Sequence, residues 1–335
     1  MIVFPSFDKV VRTMNKNDLC INLQDIVDAR KIIENQIIRT PIIASPILED
    51  MPNMELSFKA EVFQKIGSFK LRGVLNKLHH LSEKEKGSGI ITVSAGNHAQ
   101  SLAYASSQLG IKAVIVMPKY AAKNKVNATK KYGAEVVKHE NTKTIMERVY
   151  EIKEERNLTV VHPFDDPLII AGQGTIGLEI LEDSPRVPDN VIVPVGGGGL
   201  ISGIAAAMKQ SNPNVKIIGV EPFGADAMNK SLIQGKVVSL SEINTIADGL
   251  AAPFAGKYTL AHVKKFVQKI VLVSDEEILD AMRLLAEKVK IVTEPAGAAG
   301  FAALLADKIQ ISKEDLTVCV LSGGNVDTNL LKKAL

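Results

Sequence analysis

Tryptophan is absent from the 335 residues, and aromatic side chains make up only 4% of them. Stacking platforms for nucleic-acid bases are therefore scarce. The 40 basic and 37 acidic side chains leave a formal net charge of +3, with no basic stripe to follow a phosphodiester backbone. The composition argues against a nucleic-acid partner. Cysteine is nearly missing too: Cys20 and Cys319 form no CxxC pair, which removes zinc clusters and disulfide frameworks and makes a reducing, cytoplasmic setting the expectation. No run of about 20 apolar residues is available to cross a bilayer, so no membrane role is expected. The stretch Met1 to Asn22 mixes Asp8, Lys9, Arg12, Lys16, Asn17 and Asp18 with apolar residues, and so lacks the continuous apolar centre of a secretion signal. Repeats and low-complexity tracts are lacking as well.

What is present is apolar bulk in regular alternation. A hydrophobic content of 46% over this length supports more than one core. Strands are expected at Ile90 to Val93, Ala113 to Met117, Glu135 to Val137 and Thr159 to Val161, with helical patterns between them. The alternation resumes with a helix ending at Asp183 and strands at Asn190 to Val195, Val215 to Val220 and Leu316 to Leu321. Helices are expected at Asp275 to Lys290 and Ala296 to Asp307. Such βα alternation implies an α/β protein with parallel sheets. The reading divides the chain into a large domain, residues 1–88 and 165–335, and a small inserted α/β domain, residues 89–164, with a ligand cleft between them. Lysine-rich segments such as Lys119 to Lys131 read as solvated helix faces.

Four segments carry chemistry. Gly196-Gly197-Gly198-Gly199-Leu200 follows the apolar run Val191 to Val195; successive backbone N–H groups without Cβ atoms, opening a helix, suit a phosphate, and a Cβ at Gly197 or Gly198 would obstruct its approach. Lys70, in Ser68-Phe69-Lys70-Leu71-Arg72-Gly73, sits between apolar neighbours after an expected Ser68 N-cap, where burial and the positive helix end both favour the neutral amine. A neutral amine can form a Schiff base. Ser94-Ala95-Gly96-Asn97-His98, at a strand-to-helix junction, gathers groups that suit the carboxylate of an amino acid. Ser322, after the apolar strand Leu316 to Leu321, could offer a hydroxyl to a buried ring nitrogen. Alone, each has a plainer explanation: a solvated lysine, a packing turn, a helix-start hydrogen bonder and a strand-end cap.

Taken in order, these segments resemble the threonine/serine dehydratase and serine racemase family of fold type II pyridoxal-phosphate enzymes, over roughly Ile21 to Asn329. Ile169 to Gly177 and Thr293-Glu294-Pro295-Ala296-Gly297 also look like family segments. The resemblance implies a tryptophan synthase β-like fold with two lobes, each holding a mostly parallel sheet flanked by helices. It implies that Lys70 holds the pyridoxal 5'-phosphate covalently and then serves as the base, and that Phe69 packs beside the cofactor ring. Asn97 would contact the ring hydroxyl, Ser322 the pyridine nitrogen, Gly196 to Leu200 the phosphate, and Ser94 to His98 the substrate carboxylate.

The implied activity is dehydration of a small hydroxy amino acid, L-threonine to 2-oxobutanoate and ammonia and L-serine to pyruvate, by a homodimer or homotetramer. Two departures from the racemases favour dehydration: Ala95 stands where they carry a serine as second base, and Phe164 follows His162-Pro163 where they carry asparagine. Serine racemase and 3-hydroxyaspartate ammonia-lyase are the neighbouring alternatives, and a non-catalytic amino-acid or nucleotide sensor is the alternative of another class. The short tail after Asp327 is similar to the short-form dehydratases. Finally, Glu221-Pro222-Phe223-Gly224-Ala225-Asp226-Ala227 looks like the family's metal loop, with Ala227 where the racemases carry a ligating aspartate. Two readings stand for it: a strand-end turn with Glu221 and Asp226 facing water, or a site for a monovalent cation such as K⁺ on Glu221 and the Ala225 carbonyl.

Overall fold

The structure is a computed structural model that describes residues 19–44, 55–119, 121, 123–141 and 144–335. Most of the N-terminal stretch considered above, residues 1–18, lies outside the described residues, as do parts of the segment from Lys119 to Lys131. In chain order the strands are β1 (Ile42–Ala44), β2 (Glu55–Ala60), β3 (Ile90–Val93), β4 (Ala113–Pro118), β5 (Glu135–His139), β6 (Thr159–Val160), β7 (Asn190–Pro194), β8 (Lys216–Pro222), β9 (Lys269–Val273) and β10 (Leu316–Leu321). The helices are α1 (Leu23–Ile33), α2 (Lys70–His79), α3 (Glu83–Ser88), α4 (Asn97–Gln108), α5 (Lys123–Lys131), α6 (Ile145–Arg156), α7 (Pro167–Asp183), α8 (Gly199–Ser211), α9 (Ala227–Gln234), α10 (Lys257–Phe266), α11 (Asp275–Leu284), α12 (Pro295–Leu305) and α13 (Thr328–Ala334).

Two sheets form. The larger has the order β1-β2-β10-β7-β8-β9, parallel except for β1; the smaller, β5-β4-β3-β6, is parallel throughout. Parallel strands covered by helices on both faces read as unbroken apolar runs, which is why β7 and β10 are buried at every position. Strand β2 is buried at all but its first residue although it contains Ser57 and Lys59, so its sequence hides its place beside β10. Strands β1 and β9 likewise add to those expected. Where one helix was expected over Asp275 to Lys290, α11 ends at Leu284 and a π-helical turn, Leu285–Val289, follows. No helix among the described residues is long and apolar enough to cross a membrane.

Helix α2 ties the two sheets together. Its Leu71, Val74, Leu75 and Leu78 share a core with Ile90 of β3, Ile115 of β4 and Leu102 of α4, and with Ile169 of α7. Gly73 meets α7 so closely that a Cβ there would lie 2.6 Å from the Ile169 carbonyl oxygen. The lysine that opens α2 therefore stands between the sheets.

Beneath that helix lies a fully buried ion network. Arg72 donates from Nε and a terminal nitrogen to the two oxygens of Glu61, at 2.9 and 2.8 Å, and from both terminal nitrogens to those of Glu179, at 2.6 and 2.9 Å. Lys59 donates to Glu179 and to the Thr40 carbonyl, each at 2.6 Å. Thr40 donates its hydroxyl to Glu61. Two cations and two carboxylates balance. Burial works against the Glu61 charge, but the Arg72 guanidinium prevails and holds the carboxyl below its usual 4.5.

Substituting Arg72→Met leaves two buried carboxylates with one cation, and should cost roughly 3–5 kcal/mol in urea unfolding at pH 7. Because the folded carboxyl of Glu61 is depressed, that stabilisation is present above about pH 4.5 and lost as pH falls through the folded value. The gap between wild type and variant should narrow in acid. A variant as stable as wild type at pH 7 would show that the network is not structural.

Candidate active site

In open parallel sheets, ligands bind beyond the carboxyl ends of the strands. All four segments singled out above emerge there: β3 runs into Ser94 to Asn97, β7 into the glycine loop, β10 into Ser322, and β2 through a 3₁₀ turn, Glu61–Phe63, toward Lys70.

Lys70 is half-buried at the first turn of α2, and its Nζ donates to the Pro163 carbonyl at 2.8 Å. Burial lowers its pKa from 10.5 to about 8, against the opposing pull of Glu294. The amine thus becomes neutral within reach of physiological pH. The expected Ser68 cap is not formed: α2 is capped by Phe69 without a side-chain bond, and the buried Ser68 hydroxyl has no partner. The backbone explains this. Ser68 pairs with Gly323 in an antiparallel bridge, and the Phe69 N–H donates to the Ser322 carbonyl at 3.1 Å, so the chain enters the helix one residue later than a serine cap requires. That bridge brings the lysine segment against the Ser322 loop. The Ser322 hydroxyl is buried and reaches only the Ala296 carbonyl, at a long 3.4 Å.

The glycine loop lies on the other side of Pro163. Gly197 to Leu200 are buried, and the N–H groups of Gly196, Gly197 and Gly198 meet no acceptor among the described residues. Buried N–H groups without acceptors are rare unless a ligand takes them, and the start of α8 adds its own free donors. The cradle fits a phosphate ester. Its glycines are required by the protein itself rather than by the ligand alone. A Cβ on Gly197 would fall 2.5 Å from the Phe164 ring, and Gly198, at φ +93°, leaves only 2.8 Å to Thr259. Phe164 is therefore the lid of the cradle, stacked edge-on to His162 at 4.6 Å.

On the small-sheet side, Asn97 opens α4 and Ser94 accepts the Gly96 N–H at 3.2 Å. Asn97 Nδ2 donates to Glu294 at 2.5 Å, and Asn325 Nδ2 donates to Asn97 Oδ1 at 2.9 Å, which sets the orientation of the Asn97 amide. Glu294 is buried, and burial raises its pKa to about 7, with Asp248 adding to the shift and Asn97 opposing it. His98 turns inward to the Val161 carbonyl at 3.3 Å, and burial drops its pKa to about 3, so it brings no proton to the loop; its neighbour Ala95 presents a methyl. Lys125, in the segment expected to be a solvated face, instead forms an ion pair with Asp248.

The Glu221 segment stands apart. Glu221 is fully buried and Asp226 nearly so, which removes the reading in which both face water. The Glu221 oxygens accept the N–H groups of Met228 and Asn229 at 2.9 and 2.8 Å, capping α9, while Asp226 pairs with Lys230. Burial raises the Glu221 pKa to about 8 despite those donors. No cluster of three or more His, Cys, Asp or Glu among the described residues could hold a metal ion. The segment touches the cradle through Met228, whose methyl lies against Gly198.

Asn325, Thr259 and the Pro163 carbonyl join the site without having been given a role in the sequence reading, and Glu294, noted there only within a family-like segment, joins it too. One signal was available: Glu294 precedes a proline at the start of α12, yet its side chain makes no cap bond there, leaving a carboxylate free for other use.

The lowered pKa of Lys70 has a stability consequence. The folded value lies below the unfolded one, so the penalty for folding around a charged amine is fully present below about pH 8 and fades between that value and 10.5. Cofactor-free Lys70→Met should therefore unfold at higher urea than cofactor-free wild type at pH 7, with the two curves converging toward pH 10.5. Equal midpoints at pH 7 would show that the amine is not desolvated.

Residues 33–323 match the family described as pyridoxal-phosphate dependent enzyme. The chain is 44% identical to the L-threonine ammonia-lyase of Thermotoga maritima over 94% of its own length and 78% of that protein's. It is 44% identical to the catabolic L-threonine dehydratase of Escherichia coli, over 92% of this chain and 94% of that one. Among solved structures, maize serine racemase superposes with a TM-score of 0.89 at 38% identity, covering 94% of this chain and 97% of that one. The processed threonine deaminase isoform 2 of Solanum lycopersicum superposes at 0.87, also at 38% identity, covering 93% and 91%. With fold and nearly the whole length in agreement, the chain belongs to the pyridoxal-phosphate dependent enzyme family, with the fold of its type II members.

Proposed function

We propose that the chain is a threonine ammonia-lyase that converts L-threonine to 2-oxobutanoate and ammonia, and L-serine to pyruvate and ammonia. The observation that carries the reading is Lys70: an amine brought to about pKa 8 by burial, set between a cradle of N–H groups without protein acceptors and a loop whose residue 95 has only a methyl. Pyridoxal 5'-phosphate, held through Lys70, supplies the electron sink at the substrate α-carbon. With the cofactor bound, the Lys70 amine would take the substrate α-proton as general base. Gly196 to Leu200 would hold the phosphate, Phe69 would pack beside the ring, and Ser94 to His98 would take the substrate carboxylate on the N-terminus of α4. Asn97, oriented by Glu294 and Asn325, would meet the ring hydroxyl. Ser322 offers the ring nitrogen a neutral hydroxyl, which favours its protonation less than a carboxylate would. A homodimer or homotetramer in the cytoplasm, divided into the large and inserted domains set out above, belongs to the same reading.

The test is a substrate panel. Purified protein should be yellow, bleach with borohydride, and release 2-oxo acid and ammonia from L-threonine and L-serine faster than from 3-hydroxyaspartate, while converting L-serine to D-serine slowly. Lys70→Ala should lose both colour and turnover. A colourless protein with no turnover would favour the sensor reading, and racemisation as fast as elimination would favour a racemase.

A monovalent cation on Glu221 and the Ala225 carbonyl is also part of this proposal. A buried carboxyl pushed up to about pKa 8 gains from a positive charge beside it. Activity should rise when K⁺ replaces a bulky organic cation at constant ionic strength, and should survive chelation of divalent ions. Loss on chelation, restored by Mg²⁺ or Ca²⁺, would overturn it.

A further inference from the structure

The carbonyl of Gly197 is gripped from outside its own loop. It accepts the Thr259 hydroxyl at 2.7 Å and the Gly256 N–H at 3.3 Å, both from the start of α10. A peptide unit is planar and trans, and no cis bond occurs among the described residues, so drawing this carbonyl toward α10 turns the N–H of Gly198 to the opposite side. That N–H is one of the buried donors with no acceptor among the described residues. With glycine on both sides of the unit, little else resists rotation: Gly198 already sits at φ +93°, and no Cβ on either residue limits the alternatives. Half a turn of this peptide would present a carbonyl oxygen where the donor stands, and an anion would be repelled.

Thr259 is itself held firmly. Asp165 accepts the N–H groups of Lys257, Tyr258 and Thr259 at 2.9, 2.9 and 3.2 Å, capping α10 from more than ninety residues away in the chain. The Thr259 carbonyl accepts the Ser202 hydroxyl of α8 at 3.2 Å, which joins the two helices at the cradle. The Thr259 hydroxyl also lies 3.2 Å from the Gly256 carbonyl, but it has one proton to give, and the contact to Gly197 is shorter by half an ångström. The residue before Asp165 is Phe164, whose ring covers Gly197. One two-residue segment thus closes the loop from above and fixes the helix that grips it from the side.

We propose that Thr259 is a positioning residue that locks the Gly197–Gly198 peptide with its N–H turned into the cradle, so that the loop selects an anion before one arrives. The inference rests on the reading that Gly196 to Leu200 hold the cofactor phosphate. Thr259→Val keeps the shape of the side chain but sets a methyl against the carbonyl, and Thr259→Ala removes the hydroxyl without adding atoms. Thr259→Ser keeps the donor.

The experiment titrates full-length, cofactor-free protein with pyridoxal 5'-phosphate and, separately, with pyridoxal, which lacks the phosphate, following the visible absorbance; a ³¹P spectrum records the bound phosphate. Thr259→Val and Thr259→Ala should weaken pyridoxal 5'-phosphate binding about tenfold, the worth of one hydrogen bond, while Thr259→Ser stays within roughly threefold of wild type. Pyridoxal should bind all four proteins alike, and the ³¹P shift should move in the valine and alanine variants only. If the valine variant does not fold, the alanine variant carries the test. Wild-type affinity for pyridoxal 5'-phosphate in the folded variants, or an equal loss for pyridoxal, would overturn the lock. Gly198→Ala, whose Cβ also crowds Thr259, tells the two failures apart through the pyridoxal titration: a loss for pyridoxal 5'-phosphate but not for pyridoxal there, with none at Thr259, rejects the lock and keeps the loop, whereas no loss in either rejects the loop as the phosphate site.

Discussion

Two carboxylates and two cations meet where water does not reach, and the placement of Lys70 depends on them. Arg72 is two residues beyond Lys70 on α2, and its guanidinium is the piece that no other side chain could replace. Its planar fork engages Glu61 and Glu179 at once, one from the turn after β2 and the other from α7. A lysine there would be a single point charge able to serve one of them well. Because all the charges are desolvated, the cluster is costly to open, and α2 cannot rotate or slide without opening it. The first turn of the helix is thereby fixed relative to β2 of the large sheet and to α7. The conformational freedom of the Lys70 side chain is then all that remains to be settled, and the Pro163 carbonyl limits that as well.

The crevice above the network is governed by the same desolvation acting on groups that lack such full compensation. Burial pushes Lys70 down to about 8 and Glu294 up to about 7, and each is restrained by the opposite charge of the other. Both therefore change protonation near neutrality, which is where a group that must accept and return protons is useful. Lys125 and Asp248 extend this balance outward across the two sheets. Glu294 has a second effect through Asn97. With the carboxylate on one side of the amide and Asn325 on the other, Asn97 has one N–H and one lone-pair direction left for anything entering the crevice.

How much of this could be read from the chain follows from where each residue finds its partner. Strands β3 and β10 were legible to the residue because burial on both faces leaves an apolar run that nothing else produces, and the glycine run after β7 and the lysine of α2 stood out by local composition. Strand β2 was hidden by Lys59, whose charge is met by Glu179 from a helix far along the chain. Ser68 looked like a cap because its sequence neighbourhood is that of a helix start; its backbone is taken by Gly323, more than 250 residues later. One of the two readings of Glu221 and Asp226 had both facing water because a strand-end turn is the usual setting for such residues, yet α9 begins beside them and its free N–H groups draw Glu221 inward. Asn325 lies three residues beyond Ser322 in a segment that stood out, but neither it nor Thr259 carried a role in the sequence reading. Their roles lie in contacts with Asn97 and Gly197, made across the crevice and across the cradle.

The chemistry open to such a site depends on which neighbours of Lys70 can carry a proton. His98 and His162 both lie close enough to Lys70 for its charge to disfavour theirs, and burial takes them to about 3 and about 4. His162 spends Nδ1 as an acceptor for the Phe164 and Asp165 N–H groups, and His98 turns its ring toward Val161. At neutral pH each is a neutral structural ring. Residue 95, at the centre of the loop on the small-sheet side, contributes a methyl. Glu294 titrates in the right range, but its carboxylate is committed to Asn97. On the proposed reading this leaves one mobile base, attached to α2 and approaching the substrate from one side. A carbanion served from one side can be reprotonated where it was formed or can expel its β-substituent. Inversion needs a donor on the far side, and elimination does not.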